Sequence, residues 1–158
     1  DLYLVNKYPD NPLLKQTSGT SSTYMHRPKV FRIAEIYLIA AEAAYKNGDQ
    51  TNAKTYLDRL RTARGIGSVT YTDLWTEIQN ERNRELAFEG FRMADIKRWN
   101  LGVVRGTPQN LSAIVSDPAD QYYQLNIPAG NYKMVWPLSP SDILYEQGRA
   151  NWQQNPGW

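Results

Sequence analysis

From Val30 to Lys46 the chain leaves almost no polar face: Ile33, Ile36, Tyr37, Leu38 and Ile39 are followed by a run of alanines. A helix of that composition needs neighbours on nearly every side. Asn47-Gly48 then supplies a C-terminal stop, and a second helix is predicted from about Thr51 to Arg64, with Ala53, Leu57 and Leu60 on one face and Gly65 behind it. Arg59, Arg61 and Arg64 suit the negative pole at its end. A third helix is predicted from about Thr72, its N-cap, to Glu89, with Asp73 and Glu77 near the positive pole. After a break at Gly90, a short fourth helix should run from about Phe91 to Trp99.

Outside this block the helical period is absent. Residues 1 to 28 read as a short extended stretch and then loop, because Pro9, Pro12, Pro28 and the Ser/Thr/Gly run from Thr17 to Thr23 discourage regular structure. From Asn100 to Pro137 prolines, glycines and tyrosines predict loop, with a brief hairpin around Pro128-Ala-Gly-Asn131. Ser139-Pro140 reads as an N-cap with proline at the first helical position, opening a short helix over Ser141 to Tyr145. Beyond Gln147 the tail is irregular, and Trp152 and Trp158 are expected to pin it to the helical core.

The third helix carries charge where an apolar face is expected. At about 100° per residue, Glu81, Glu85 and Arg92 share a narrow sector with Leu74, Ile78 and Phe88, and Glu89 lies at its edge. A half-buried carboxylate must find a hydrogen-bonded cation or shift its pKa, so the stripe is either a structural ion-pair network or a site for chemistry. Partners at helical spacing favour the network. Arg82 precedes Glu85 by three residues, Arg84 follows Glu81 by three, Arg92 follows Glu89 across Gly90, and Asp95 and Arg98 continue the pattern. A di-metal carboxylate bundle would want Glu-x-x-His pairs, and the sole histidine, His26, lies in another segment. Neither a metal nor any other cofactor is expected.

The same residues resemble a known family. Glu81-Arg82-x-Arg84-Glu85-Leu86-Ala87-Phe88-Glu89-Gly90-x-Arg92-x-x-Asp95-x-x-Arg98-Trp99 is similar to the signature helix of the SusD/RagB family of outer-membrane nutrient-binding lipoproteins. Arg32-Ile-Ala-Glu-Ile-Tyr-Leu-Ile-Ala-Ala-Glu-Ala44 and Leu57-x-x-Leu60-Arg61-x-x-Arg64 resemble two of its upstream helices. Trp136-Pro-Leu-Ser-Pro140 and Gln154-Asn-Pro-Gly-Trp158 resemble its endings. The motifs stand in the family's order over about residues 32 to 158. Departures are mild: Leu138 for Ile, Trp158 for Tyr and Asp58 for Asn.

Ala41, Ala44, Gly48, Asp49, Ala53 and Leu57 sit at the intervals of a tetratricopeptide helix pair, a pattern that many alanine-rich bundles share. With the resemblance, the expected fold is mainly α: tetratricopeptide-like helical hairpins with a long irregular C-terminal segment. Residues 1–158 would form a single C-terminal SusD/RagB-like domain of a longer lipoprotein, with a helical core over about 30–99 and a loop-rich segment over about 100–158. The resemblance also implies non-catalytic capture of oligosaccharides or polysaccharides, starch among them, for a SusC-like TonB-dependent barrel transporter. The implied location is the cell surface, with the outer membrane held only through an N-terminal lipid anchor absent from this chain. A protein-docking scaffold, or a binder of non-glycan nutrients such as peptides, is the alternative.

Composition narrows the picture further. A net charge of +2, with basic residues interleaved among acids, argues against nucleic acid as a partner. Without cysteine there is no disulfide framework and no thiol chemistry. No apolar run approaches the roughly 20 residues of a bilayer-crossing helix. A glycosidase-like enzyme would need two acids facing each other across a cleft, whereas Glu81, Glu85 and Glu89 share one stripe.

Sugars are held by flat aromatic faces flanked by polar groups, which directs attention to the aromatic residues. Tyr37, Tyr45, Tyr56, Trp75, Phe88, Phe91 and Trp99 lie at helical spacing and read as core, and Trp136 reads as structural. Tyr122, Tyr123 and Tyr132, in the loop-rich segment, are the candidate ligand contacts, ahead of Tyr24 and His26. Lys54 and Arg61 are expected on the exposed side of helix two, as a docking surface.

Overall fold

The computed structural model describes Lys7 and residues 29–68, 70–106, 126–146 and 153–158. They divide into two compact units, one ending at Arg92 and the other running from Met93 to Trp158. The described residues are mainly helical.

In the first unit, α1 (Ile33–Lys46) and α2 (Gln50–Ala63) are joined through Asn47, Gly48 and Asp49 as a helical hairpin, and α3 (Leu74–Glu85) packs against it. The Asp49 carboxylate caps α2 by accepting from the Asn52 amide at 3.0 Å, and Asp73, not Thr72, caps α3 by accepting from Trp75 and Thr76. Aspartate is the stronger cap because its charge also meets the helix dipole. Those hydrogen bonds lower the pKa of both carboxyls.

Small residues let the helices approach. Ala34, Leu38 and Ala41 of α1 meet Ala53, Leu57 and Leu60 of α2, and Ile78 and Leu86 close the core from the third side. Tyr37, Tyr45, Tyr56, Trp75 and Phe91 pack around it, with Tyr45 and Trp75 stacked at 5.3 Å and Lys46 over the Trp75 ring at 3.8 Å. The opposite face of α1 presents Ile33, Ile36 and Ile39 exposed. One side of this apolar helix is therefore uncovered among the described residues.

α3 stops at Glu85, four residues short of the expected end, and turns follow to Gly90. Cations take over the carbonyls that a longer helix would have used: Lys7 Nζ donates to the carbonyls of Glu85 and Ala87 at 2.7 Å each, and Arg32 Nη2 also donates to that of Glu85. Beyond that point the helical projection no longer holds. Phe88 has a φ of 65° and is 68% exposed instead of lying in the core, and Arg92 opens the next helix on an exposed position.

The second unit begins in α4 (Arg92–Arg98), where Asp95 and Ile96 are buried and the Arg98 guanidinium lies 4.2 Å from the centre of the half-buried Trp99 ring. An antiparallel bridge then pairs Val103 with Ile127 through hydrogen bonds of 2.8 and 2.9 Å. The expected turn at Pro128 to Asn131 forms, but no hairpin does: the Asn131 side chain caps a 3-10 helix (Tyr132–Met134) that turns the chain aside. Pro140 opens α5 (Pro140–Glu146) behind Ser139, whose carbonyl accepts from Asp142 and Ile143.

The bridge explains Gly102. A Cβ there would stand 2.7 Å from the Ile127 carbonyl oxygen, the acceptor of the Val103 amide. Gly102→Ala should therefore push the two bridged segments apart at a cost of about 1–3 kcal/mol. Faster amide exchange at Val103 is the expected readout, and an unchanged rate would show that the backbone tolerates the methyl.

Candidate functional site

The charged stripe folds into a network that joins elements far apart in sequence. Glu85 is held by Arg32 Nη1 and, in a two-pronged contact, by Arg64 at 2.9 and 2.7 Å. Glu89 receives Arg32 Nε at 2.9 Å and Nη2 at 2.7 Å, together with Lys7. Arg32 thus ties the start of α1 to both carboxylates and to the end of α3. A planar guanidinium with five donors suits that position better than an ammonium.

A second group lies along α3. The Glu81 side chain, only 3% exposed, accepts from Arg84 at 2.8 Å and faces Arg61 at 3.5 Å, while Arg61 and Arg84 also reach Glu77 at 3.1 and 3.4 Å. Arg82 crosses to Glu35 on α1 at 3.4 Å and lies over the Phe91 ring at 5.5 Å. Asp95 and Arg98 pair within α4 at 2.9 Å.

Several expected pairings therefore change. Arg84 with Glu81 forms as spaced, but Arg82 goes to Glu35 rather than Glu85. Glu89 goes to Arg32 and Lys7 rather than Arg92, which takes no part in the ion pairs among the described residues. Arg61 is buried among carboxylates, not on the exposed side of α2. Lys54 pairs with Asp58, which also accepts from Ser68 and Tyr71. Burial and the Asp58 carboxylate push the Tyr71 phenol up, and the hydrogen bonds hold Asp58 down against its partial burial.

The electrostatics follow from the contacts. The Arg64 hydrogen bonds, aided by Arg32 and opposed by burial, bring Glu85 down to about 2 from an ordinary 4.5. Burial raises Glu89, but Arg32 and Lys7 outweigh it and the net shift is downward. Both carboxylates stay ionised at neutral pH with their oxygens occupied, a poor state for proton transfer. Among the described residues no group of His, Cys, Asp and Glu could hold a metal ion.

Of the candidate ligand contacts, Tyr122, Tyr123, Tyr24 and His26 lie outside the described residues. Tyr132 is described: it opens the 3-10 helix, partly exposed, with Trp158 edge-on to it at 5.3 Å and 86°. Here the two terminal motifs interlock. Gln154 bonds both the amide and the carbonyl of Leu138 at 2.8 and 2.9 Å, Asn155 Nδ2 donates to the Trp136 carbonyl at 2.7 Å, and Trp158 Nε1 donates to the Val135 carbonyl at 2.9 Å. The described part of the tail is pinned to residues 132–138, and Trp152 lies outside the described residues. Trp136, expected to be structural, is fixed through its backbone while its indole is 86% exposed.

The comparisons agree with these motifs. The model of the SusD family matches residues 1–158. A curated relative, SusD-like protein P2 of Formosa agariphila, is 33% identical over a match covering 89% of this chain and 30% of the relative. A solved SusD-like protein from Bacteroides fragilis superposes with a TM-score of 0.58 at 24% identity, over 89% of this chain and 27% of the other. The chain thus spans less than a third of the length of either. A family match along its whole length, together with a relative 33% identical to it, means that the chain belongs to the SusD family.

Proposed function

We propose that this chain is part of a non-catalytic cell-surface protein that captures oligosaccharides or polysaccharides and delivers them to a SusC-like TonB-dependent barrel in the outer membrane. Its SusD family membership carries the reading: the family generally binds nutrients or glycans, pairs with SusC-like transporters and is typically a surface lipoprotein of the outer membrane. The chemistry on the page supports it. The carboxylates that could have suggested an enzyme are saturated by guanidiniums, and Glu85, at about 2, has no proton to give near neutral pH. Tyr132 is the candidate ligand contact that lies among the described residues.

Native electrophoresis through gels cast with a panel of neutral and acidic polysaccharides tests this. Retardation by at least one polysaccharide, relative to a plain gel, is the expected result. No retardation in any gel, with binding to a peptide pool instead, would move the chain to the non-glycan class. The docking reading is favoured separately by Ile33, Ile36 and Ile39, which leave an apolar face of α1 exposed.

A further inference from the structure

Three aromatic side chains leave the clasp formed by the terminal motifs. Tyr132 is 40% exposed, Trp158 50% and Trp136 86%, values at odds with a packing role for all three. Their backbones, by contrast, are held firmly. The Val135 carbonyl is taken by the Trp158 indole N–H, the Trp136 carbonyl by Asn155, and Leu138 by both ends of the Gln154 amide.

Gly157 completes the clasp. It has a φ of 93°, and a Cβ there would lie 2.5 Å from the Tyr132 ring, so only glycine lets the tail pass so close. The result is two rings at 86° to each other, one presenting its edge to the other's face. The Trp158 N–H is already satisfied, so a ligand on its face need not pair that donor. Lys133 Nζ stands 6.0 Å from the centre of the Tyr132 ring, a cation beside the corner.

We propose that Tyr132 and Trp158 form an aromatic corner that takes the apolar face of a pyranose ring, a platform to which the exposed Trp136 of the same clasp adds a further stacking face, with Lys133 as the polar contact for the sugar's hydroxyls or a uronate carboxylate. The inference rests on the glycan-binding reading above and gives that reading a location. Trp158, tied by its N–H, and Tyr132, packed against Trp158 and Gly157, are fixed in advance and lose little conformational freedom on binding, and polar groups at their rim set orientation. The platform would favour sugars with an extended apolar face, and the lysine would favour acidic polysaccharides over neutral ones.

Affinity electrophoresis of the whole chain in gels containing a neutral β-glucan or a uronic-acid polysaccharide separates the outcomes. If the wild type is retarded and Trp136→Ala weakens retention about tenfold or more with the circular dichroism unchanged, the platform stands. The Trp136 indole is mostly in solvent, so this variant should fold. Trp158→Phe, which keeps a flat ring, should retain more binding than Trp158→Ala. Retardation of the wild type and of Trp136→Ala and Tyr132→Ala to the same extent would overturn the platform and leave glycan binding intact. Absence of retardation in both gels and in the wider panel would overturn both.

Discussion

Alanine at Glu85 is expected to lower the stability of the helical unit by about 3 kcal/mol, while Arg92→Ala changes it by no more than about 0.5 kcal/mol. The difference comes from what each removal leaves behind. Without the Glu85 carboxylate, Arg32 and Arg64 face each other across an empty position, and the proximity of Arg32 already disfavours the charge on Arg64. Arg92 is exposed and leaves no buried charge behind. The depression of the Glu85 pKa from 4.5 to about 2 has the same origin, the Arg64 and Arg32 contacts, and corresponds to about 3 kcal/mol.

The sign of the pH dependence follows. A carboxyl whose folded pKa is depressed contributes fully above its unfolded value of 4.5, and that contribution fades as pH falls toward 2. Wild type and Glu85→Ala should therefore differ most in urea unfolding at pH 6 to 7 and converge toward pH 2. Equal unfolding midpoints at pH 7 would mean that the Glu85 side chain is not holding α1, α2 and α3 together.

The helices were legible in the sequence because their signals are local. Apolar spacing, Asn47-Gly48 and Gly65 placed the ends of α1 and α2 within a few residues, and Ser139-Pro140 placed the start of α5. The partners of the charged stripe were less legible, since an ion pair between elements leaves no periodic trace. Intrahelical spacing suggested Arg82 for Glu85, but the fold brings Arg32 and Arg64 there. Their presence in the upstream motifs, each beside an apolar helix face, was the available signal.

Phe88 and Arg92 depart from the helical projection for one reason. The projection assumed a helix through Glu89, and Lys7 and Arg32, distant in sequence, satisfy the carbonyls at Glu85 and Ala87 instead. The burial of Arg61 leaves no mark in the sequence, because arginine near a helix end suits the dipole whether or not it is buried. The interlocking of Gln154-Asn155 with Trp136-Leu138 depends on side-chain amides reaching a backbone sixteen or more residues away. Periodicity is blind to such contacts.

The two faces of α1 give the other large expected effect. Leu38 is fully buried in the core that α1 shares with α2 and α3, so Leu38→Ala removes apolar contacts and leaves a cavity that helices with alanine at their contacts have little means to close. A loss of about 3 to 5 kcal/mol is expected. Ile36, two residues earlier on the same helix, is half exposed, and Ile36→Ala should cost under about 1 kcal/mol. Placing a charge at Ile36 or Ile39 should leave the isolated chain's unfolding nearly unchanged, yet weaken co-purification with a SusC-like barrel if that face seats a partner. Thermal unfolding of Leu38→Ala and Ile36→Asp, run beside the co-purification, reads both faces at once. A wild-type-like midpoint for Leu38→Ala would contradict the described core, and full co-purification of Ile36→Asp would leave the outer face of α1 without a role in docking.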